Sequence, residues 1–248
     1  MDKFTMSGKI GLWIHNPSTA LGQLHAIQAI GFDYVCVKIS DGTNVYHAAE
    51  TAQLVKDANS IGLGVVAWHY ARPADITAQI AVVQSALPNG VTNIILDAEV
   101  EWETYANSHG TTGVSVVVAQ LVSGIARATS ANLHLSSFWS PKLHSSFPFA
   151  SFVHSCVSWQ PQAYKEPGST RTTQSILDNS LFEGGKLVNT KTGQSVIPTI
   201  NDIAFVPLLK AAGVKSFNVW DWDPKYGDAM VSDNRQSWTE AISKFREC

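Results

Sequence analysis

The sequence predicts an α/β protein folded as a single (β/α)8 TIM barrel that spans residues 1–248. Strand-like apolar runs alternate with helix-like runs about every 30 residues, and eight such pairs follow one another. The length of 248 residues also matches the roughly 250 residues typical of this barrel. Because no linker or low-complexity segment interrupts the alternation, one domain is expected.

The first half of the chain provides four of the predicted pairs. The strands are expected at residues 10–15, 34–39, 64–69 and 93–96, and the helices at 19–30, 48–61, 74–87 and 113–129. Ser18 is placed to cap the first helix, and Gly31 is placed to end it. A turn is predicted at Asp41 and Gly42.

The second half provides the other four pairs. Its strands are expected at residues 133–138, 155–159, 195–200 and 215–220. Its helices are expected at 141–152, 171–182, 203–212 and 234–245. The helix at 141–152 is short and is interrupted by Pro148.

Composition and charge argue against several classes of partner. The net charge is −3, and the 17 basic and 20 acidic residues are spread along the chain, so no surface for nucleic acid is expected. The first residues lack the apolar core of a signal peptide, and no uninterrupted apolar run approaches about 18 residues. We therefore expect a monomer without nucleic-acid or membrane partners, which stays in the cytoplasm or leaves by a route that the sequence does not encode.

The sequence predicts no metal site and no cofactor. Cys36, Cys156 and Cys248 have neither metal-site nor redox-motif spacing, and the first two lie in apolar segments that predict buried free thiols. His69 and the acids that follow strand four offer ligand atoms, but they lack an H-x-x-x-H spacing.

The segment TNIILDAEVEWE, residues 92–103, predicts the catalytic centre. Its apolar run is typical of a strand buried on both faces, and four carboxylates follow, those of Asp97, Glu99, Glu101 and Glu103. Side chains two apart on a strand point the same way, so Asp97 and Glu99 are expected to share a face at the carboxyl end. Crowding raises the pKa of such carboxyls, which provides a general acid beside an ionised partner.

Aromatic, histidine and acidic side chains are concentrated at the other strand ends. Aromatic rings bind the apolar faces of sugars, and neighbouring acids and amides bind the hydroxyls. The candidate substrate-binding residues are Trp13, His69, Tyr70, Glu101, Trp139, Trp159, Tyr164 and Trp220. Other polar residues near the strand ends are His15, Lys38, Gln160, Gln162, Asp221 and Asp223. The alternatives are a structural role for His69 and core packing for Trp13, Trp68 and Trp220.

Three segments resemble the family 25 glycoside hydrolases, the lysozymes that cleave bacterial peptidoglycan. Residues 95–99, ILDAE, resemble the D-x-E motif of that family's strand four. Residues 67–73, AWHYARP, are similar to its strand-three pattern, and residues 37–42, VKISDG, resemble its strand-two ending. Residues 157–159 with Tyr164 are a looser match to strand six.

The resemblance implies that Glu99 protonates the glycosidic oxygen and that Asp97 supports a substrate acetamido group or the developing charge. The first strand departs from the family, which usually has an Asp in a G-x-D-V-S pattern where this chain has Trp13. Asp221 is then the expected compensating acid, because strand eight neighbours strand one in a closed barrel.

Together these features predict a retaining, lysozyme-like hydrolase that degrades cell walls as an endolysin does, with an N-acetylated glycan, peptidoglycan above others, as its substrate. Two alternatives stay open. A non-catalytic glycan-binding or phage structural barrel would explain Trp13. A family 18 chitinase-like enzyme would use Glu103 as its acid, since residues 99–103 weakly resemble that family's D-x-D-x-E motif.

Overall fold

The computed structural model describes residues 4–183, 186, 195–222 and 231–247. Its parallel strands close into a barrel of eight, because β1 pairs with both β2 and β10, and this confirms the predicted fold class. The strands in the described part of the chain are β1 (Ile10–Ile14), β2 (Tyr34–Asp41), β3 (Asn44–Val45), β4 (Gly64–Ala71), β5 (Asn93–Ala98), β6 (Asn132–Phe138), β7 (Ser158–Ala163), β8 (Ser195–Val196), β9 (Thr199–Ile200) and β10 (Phe217–Val219). The short strand β3 folds back on β2 as an antiparallel hairpin.

Helices connect successive strands on the outside of the barrel. Those in the described residues are α1 (Pro17–Ala20), α2 (Leu24–Ile30), α3 (Ala48–Ser60), α4 (Ile76–Ala86), α5 (Val100–Thr129), α6 (Phe149–Val153), α7 (Thr173–Asp178) with a π-helical turn at Asn179–Glu183, α8 (Phe205–Ala211) and α9 (Arg235–Arg246). Asn16, rather than the predicted Ser18, caps α1 by accepting from the Ser18 backbone N–H. The single helix predicted over residues 19–30 is two helices in the structure, α1 and α2.

Helix α5 differs most from its prediction. It begins at Val100, directly after β5, and not at residue 113. Gly110 has non-helical backbone angles, φ 69° and ψ 167°, so the predicted loop is reduced to a kink. Glu101 and Glu103 consequently lie in the first helical turn, where the helix dipole favours negative charge.

By length and composition α5 also meets the criteria for a membrane-spanning helix. One of its faces is buried, including Val114, Val118 and Leu121, and the helix packs against α4. A helix that packs one apolar face against the core of a barrel shows this pattern of burial.

Strand β7 begins three residues later than predicted. Ser155 and Cys156 lie in a turn, where their backbone N–H groups donate to the Phe152 carbonyl. The strand then runs through Pro161 to Ala163. This shift moves Trp159 away from the strand end and brings Gln162 close to it.

Side chains alternate between the barrel interior and the helix layer. The interior holds a cluster that includes Met6, Trp13, Tyr34, Val66 and Trp68. A larger apolar cluster fills the space between the strands and the helices. The free thiols of Cys36 and Cys156 are buried as predicted, and Cys248 lies outside the described residues.

The amino end of the barrel is filled by a polar network. The Tyr34 hydroxyl donates to Asn218 at 2.6 Å, and the Asn218 amide donates to Gln160 at 2.8 Å. Gly11 is required here, because a Cβ at this position would collide with Asn218 and the Tyr34 ring. The polar floor leaves the carboxyl end of the barrel, called the mouth below, as the open end for chemistry.

Candidate active site

Strand β5 places two carboxylates at the mouth. It is buried along its whole length and lies between β4 and β6, where Asp97 is in register with Tyr70 and Ser136. Asp97 is only 4% exposed, whereas Glu99 is partly exposed at the end of the strand. Glu99 is therefore the carboxylate with access to a ligand in the mouth.

A single amide nitrogen joins the two carboxylates. Nε2 of Gln162 donates to Oδ1 of Asp97 at 2.9 Å and to Oε1 of Glu99 at 2.8 Å. The two hydrogens of an amide nitrogen diverge by roughly 120°, and with that ideal geometry acceptor oxygens at these distances would be about 5 Å apart. Asp97 and Glu99 thus share one face of the strand end, as the sequence predicts.

Burial raises the pKa values of both carboxyls, and the charge of a neighbouring glutamate adds to each shift. For Asp97 the main cause is burial, followed by the charge of Glu99. For Glu99 the main cause is again burial, and the charge of Glu101 adds to it, while the hydrogen bond from Gln162 and the nearby Tyr70 hydroxyl act in the opposite direction. Two buried carboxyls at this spacing retain a shared proton more readily than isolated ones.

A chain of polar contacts extends outward from Glu99. The Tyr70 hydroxyl lies 3.5 Å from Oε2 of Glu99 and donates to Glu101 at 3.0 Å. Arg72 donates to Glu101 at 3.0 Å and to Asp41 at 2.9 Å. The Tyr70 pKa is raised by burial and by the charges of Glu99 and Glu101, so its hydroxyl stays protonated.

Lys38 provides a buried positive charge beside these acids. Its ammonium donates to Asp41 at 3.0 Å and lies 4.8 Å and 4.9 Å from the ring centres of Tyr46 and Trp68. Its charge lowers the pKa values of both Asp97 and Glu99, in opposition to the larger effect of burial. Burial tends to raise the pKa of Asp41 also, but hydrogen bonds from Lys38 and Arg72 hold it below its ordinary value.

Three indoles lie together below the carboxylates. Trp13 is 5.1 Å from Trp68 and 5.5 Å from Trp220 between ring centres, and His15 contacts both Trp68 and Trp220. Trp13 is only 1% exposed, so it fills the barrel below the mouth. Its indole nitrogen has no hydrogen-bond partner among the described residues. The indole occupies the first-strand position where the family 25 pattern would supply an acid.

Tyr164 and Asp221 complete the mouth on the side of β7 and β10. The Tyr164 pKa is raised by burial and then by the charges of Asp97, Glu99 and Asp221, so all three carboxylates act on one phenol. The ring of Tyr164 also lies 6.2 Å from that of Trp220. Asp221 follows β10, which neighbours β1 as expected, and it is 3% exposed. Asp223 lies outside the described residues.

The structure does not bring His69 and Trp159 to the mouth. His69 points toward the helix layer, where its ring nitrogens bond Ser40 at 2.9 Å and Gln79 at 3.1 Å, and burial lowers its pKa to about 4. Trp159 is fully buried and packs edge-on against Phe149. Each alternates along its strand with an inward-facing neighbour, so these two residues cannot contact a ligand in the mouth without rearrangement.

Two other acidic or aromatic residues lie around the edge of the mouth. Trp139 follows β6 and is partly buried, with the Arg171 guanidinium 5.1 Å from its ring centre. The Glu103 carboxylate lies 3.0 Å from Nδ1 of His144, and the His144 ring stacks on Phe138. Within the described residues, no group of three or more histidine, cysteine, aspartate or glutamate side chains could hold a metal ion.

Comparison with known proteins shows the fold and no family. No protein-family model matches the chain, and no curated protein matches its sequence. Among solved structures, the catalytic domain of a mannanase from Streptomyces sp. SirexAA-E aligns with a TM-score of 0.56 and 11% identity, over 99% of this chain and 88% of that one. A dihydrodipicolinate synthase from Bacillus anthracis aligns with a TM-score of 0.52 and 13% identity, over 98% and 80%.

A family 25 glycosyl hydrolase from Bacillus anthracis also aligns, over 71% of this chain and 77% of that one, with 11% identity and a TM-score of 0.47. That score is too low to support membership of the family. The fold is thus shared with glycosidases and with enzymes of other classes, and function must be argued from the site.

Two residues of the mouth make contacts that the sequence does not predict. Gln162 is expected only as an amide near a strand end that binds hydroxyls, whereas in the structure it bridges Asp97 and Glu99. Arg72 belongs to the AWHYARP segment, but its two ion pairs join residues 29 and 31 positions away. Contacts at such separations are set by the closed barrel and have no local sequence pattern.

Proposed function

We propose that the protein is a retaining glycoside hydrolase that cleaves an N-acetylated glycan, with bacterial peptidoglycan as the substrate. The observation that carries the proposal is the bridge of Gln162 between buried Asp97 and partly exposed Glu99 in the mouth, and the separation of about 5 Å inferred from it is one that retaining rather than inverting glycosidases use. An inverting enzyme needs a wider gap for a water molecule between its two acids.

Glu99 acts as the general acid in this proposal. Burial raises its pKa above the ordinary value, which favours the protonated form that a general acid needs, and its partial exposure gives it access to the glycosidic oxygen. As the carbon–oxygen bond breaks, that proton passes to the leaving sugar. Glu99 then takes a proton from the water that attacks the sugar's anomeric carbon, which restores the acid for the next cycle.

Asp97 supports the positive charge that develops on the sugar. As a carboxylate it would either orient the substrate acetamido group, whose oxygen attacks the anomeric carbon, or act as the nucleophile itself. Both routes avoid an isolated oxocarbenium ion. The deep position of Asp97 below Glu99 favours contact with a substituent that extends into the barrel rather than with the leaving sugar.

Aromatic rings around the pair supply the sugar-binding surface. Trp220 and Tyr164 are partly exposed and lie on one side of the mouth, and Trp139 follows β6, the strand next to β7. Flat rings of this kind stack on sugar faces. Asp221 provides the additional acid that the Trp13 position lacks, on the side of the mouth next to β1.

A turbidity assay on purified bacterial cell walls tests the proposal. Wild type is expected to lower the turbidity, and Glu99→Gln is expected to lose this activity while still sedimenting with the walls. Equal lysis by both proteins would remove Glu99 from the acid role.

A glycan-binding protein without activity is the second candidate, because the indole of Trp13 stands where family 25 enzymes usually carry an acid. It predicts that wild type sediments with the walls and never releases sugar from them. Reducing-end assays on N-acetylglucosamine oligomers would then separate a chitinase-like activity from inactivity.

A further inference from the structure

The amide of Gln162 occupies the centre of the candidate site, between the two carboxylates. It reaches the mouth because β7 runs through Pro161, which turns the side chain of Gln162 toward the barrel interior beside β6. Its Nε2 atom contacts three oxygens, those of Glu99 at 2.8 Å, Asp97 at 2.9 Å and Ser136 at 3.3 Å.

The orientation of this amide follows from electrostatics. Turning the carbonyl oxygen toward the carboxylates would place three acceptors together in a buried space, which is costly without a donor. The nitrogen side supplies two N–H donors, and the two carboxylate oxygens at the shorter distances take one each.

The position of the acid proton follows from the same contacts. Oε1 of Glu99 accepts from Gln162, so the proton of a neutral Glu99 is favoured on Oε2. That oxygen lies 3.5 Å from the Tyr70 hydroxyl, whose own hydrogen is directed to Glu101 at 3.0 Å. Arg72 in turn fixes Glu101 by an ion pair of 3.0 Å.

We propose that Gln162 is a positioning residue, which holds Asp97 and Glu99 in their reactive spacing and directs the acid proton to the Glu99 oxygen beside Tyr70. The inference deepens the proposed glycosidase function and rests on it for its catalytic consequence. The bridge itself is a property of the free protein. Gln162 touches both carboxylates, but it need not touch the substrate to act.

The bridge opposes the other influences on the two carboxyls. Its N–H groups lower the pKa values of both Asp97 and Glu99, which burial raises. The charged or titratable groups that face the pair come from β2, β4, α5 and the segments after β4, β7 and β10: Lys38, Tyr70, Glu101, Arg72, Tyr164 and Asp221. None of these is altered by a substitution at Gln162.

The test replaces the amide by a side chain of similar length without donors, Gln162→Met. Gln160→Leu is the matched control, since Gln160 lies two residues earlier on the same face of β7 but bonds Asn218 at the barrel floor. Carboxyl 13C resonances of the free proteins are followed by NMR as the pH is changed. We expect the titrations of Asp97 and Glu99 to move to higher pH in Gln162→Met and to stay in place in the control.

Kinetics on soluble glycan fragments add a second readout. For Gln162→Met we expect kcat to fall about 10-fold or more with KM within about threefold of wild type, because the loss concerns positioning rather than binding. The acidic limb of the rate profile should move to higher pH, since Asp97 must be ionised. The asparagine in Gln162→Asn is too short to bridge both carboxylates, so this variant should behave like Gln162→Met. It replaces Gln162→Met in both measurements if Gln162→Met does not fold.

Unchanged titrations of Asp97 and Glu99 in both Gln162 variants would refute the inference that Gln162 bridges the two carboxylates. A higher KM with an unchanged kcat would make Gln162 a substrate contact and would also overturn the inference. A wild type that never cleaves glycan would instead overturn the proposed function, and the NMR titration would still report on the bridge alone.

Discussion

Replacing Glu99 by Gln is expected to abolish turnover and to stabilise the fold at the same time. The glutamine keeps the shape of the side chain and a carbonyl oxygen that can accept from Gln162. It removes the acid proton, which should lower kcat by about 10²-fold to 10⁴-fold. It also removes a partly exposed charge that repels the buried charge of Asp97, so the two effects have opposite signs.

The size of the stabilisation follows from the geometry. Two charges about 5 Å apart repel by about 3 kcal/mol at an effective dielectric constant of about 20. Because Glu99 is partly exposed, screening by water reduces this figure, and we expect the variant to gain about 1–3 kcal/mol where both carboxyls would be ionised.

The pH dependence of this gain has a definite sign. The pKa of Glu99 is higher in the folded protein than its ordinary value of 4.5, so the folded state binds the proton more tightly than the unfolded state. Wild-type stability therefore falls as the pH rises from the ordinary pKa through the raised one. The advantage of Glu99→Gln should be small below the ordinary pKa and should grow as the pH rises through the raised one.

Urea unfolding of wild type and Glu99→Gln across this pH range measures the effect. Glu103→Gln is the control, because Glu103 pairs with His144 outside the carboxylate pair and is the acid of the chitinase-like alternative. We expect that control to retain turnover, because it leaves Asp97, Glu99 and Gln162 unchanged. A Glu99→Gln protein that is destabilised at pH 8, or that remains active, would refute the reasoning.

Three further predictions concern other contacts of the site. Asp221→Asn should lower turnover by roughly 10²-fold or more with glycan binding retained, and unchanged kinetics would remove Asp221 from the mechanism. Arg72→Gln leaves Glu101 without its ion pair, so the Glu99 pKa should rise and the alkaline limb of the rate profile should move to higher pH; a shift to lower pH would contradict the arrangement. The buried His69, with a pKa of about 4 against 6.5, should cost wild type about 3 kcal/mol of stability as the pH falls from 6.5 to 4, and unfolding curves of His69→Gln should lack this loss.

The sequence predicts the barrel and its acidic centre because both have local signals. Apolar runs of strand length recur at regular intervals, and β5 ends in carboxylates whose spacing of two residues places them on one face. Barrel closure then brings Asp221 to the side of β1 without further information. These inferences need only periodicity and topology.

The position of β7 could not be predicted in the same way. Proline is disfavoured inside strands, so Pro161 argues for a strand that ends before it. In the structure the strand continues, with Pro161 in register with Ser137 of β6. The error in this boundary explains why the sequence places Trp159 at the strand end and does not place Gln162 between the two acids.

Helix α5 shows the limit of intrinsic propensity. Glycine and threonine around residues 110–113 favour a loop, but Trp102 and Ala106 on one side and Val114 on the other are all buried. Packing against the barrel thus keeps the chain helical on both sides of Gly110. Tertiary contacts decide whether residues 110–113 form a helix or a loop, and the local sequence does not reveal these contacts.

The cluster of Trp13, Trp68 and Trp220 gives the protein an optical signal of its own. Their ring centres are 5.1 Å, 5.5 Å and 6.1 Å apart, with planes inclined by 50° to 65°. Inclined indoles at such distances share their excited states and produce paired bands of opposite sign in ultraviolet circular dichroism. A sugar that settles on Trp220 and alters its tilt would change that spectrum directly. Occupancy of the mouth can therefore be followed in solution without a label and without waiting for a bond to break.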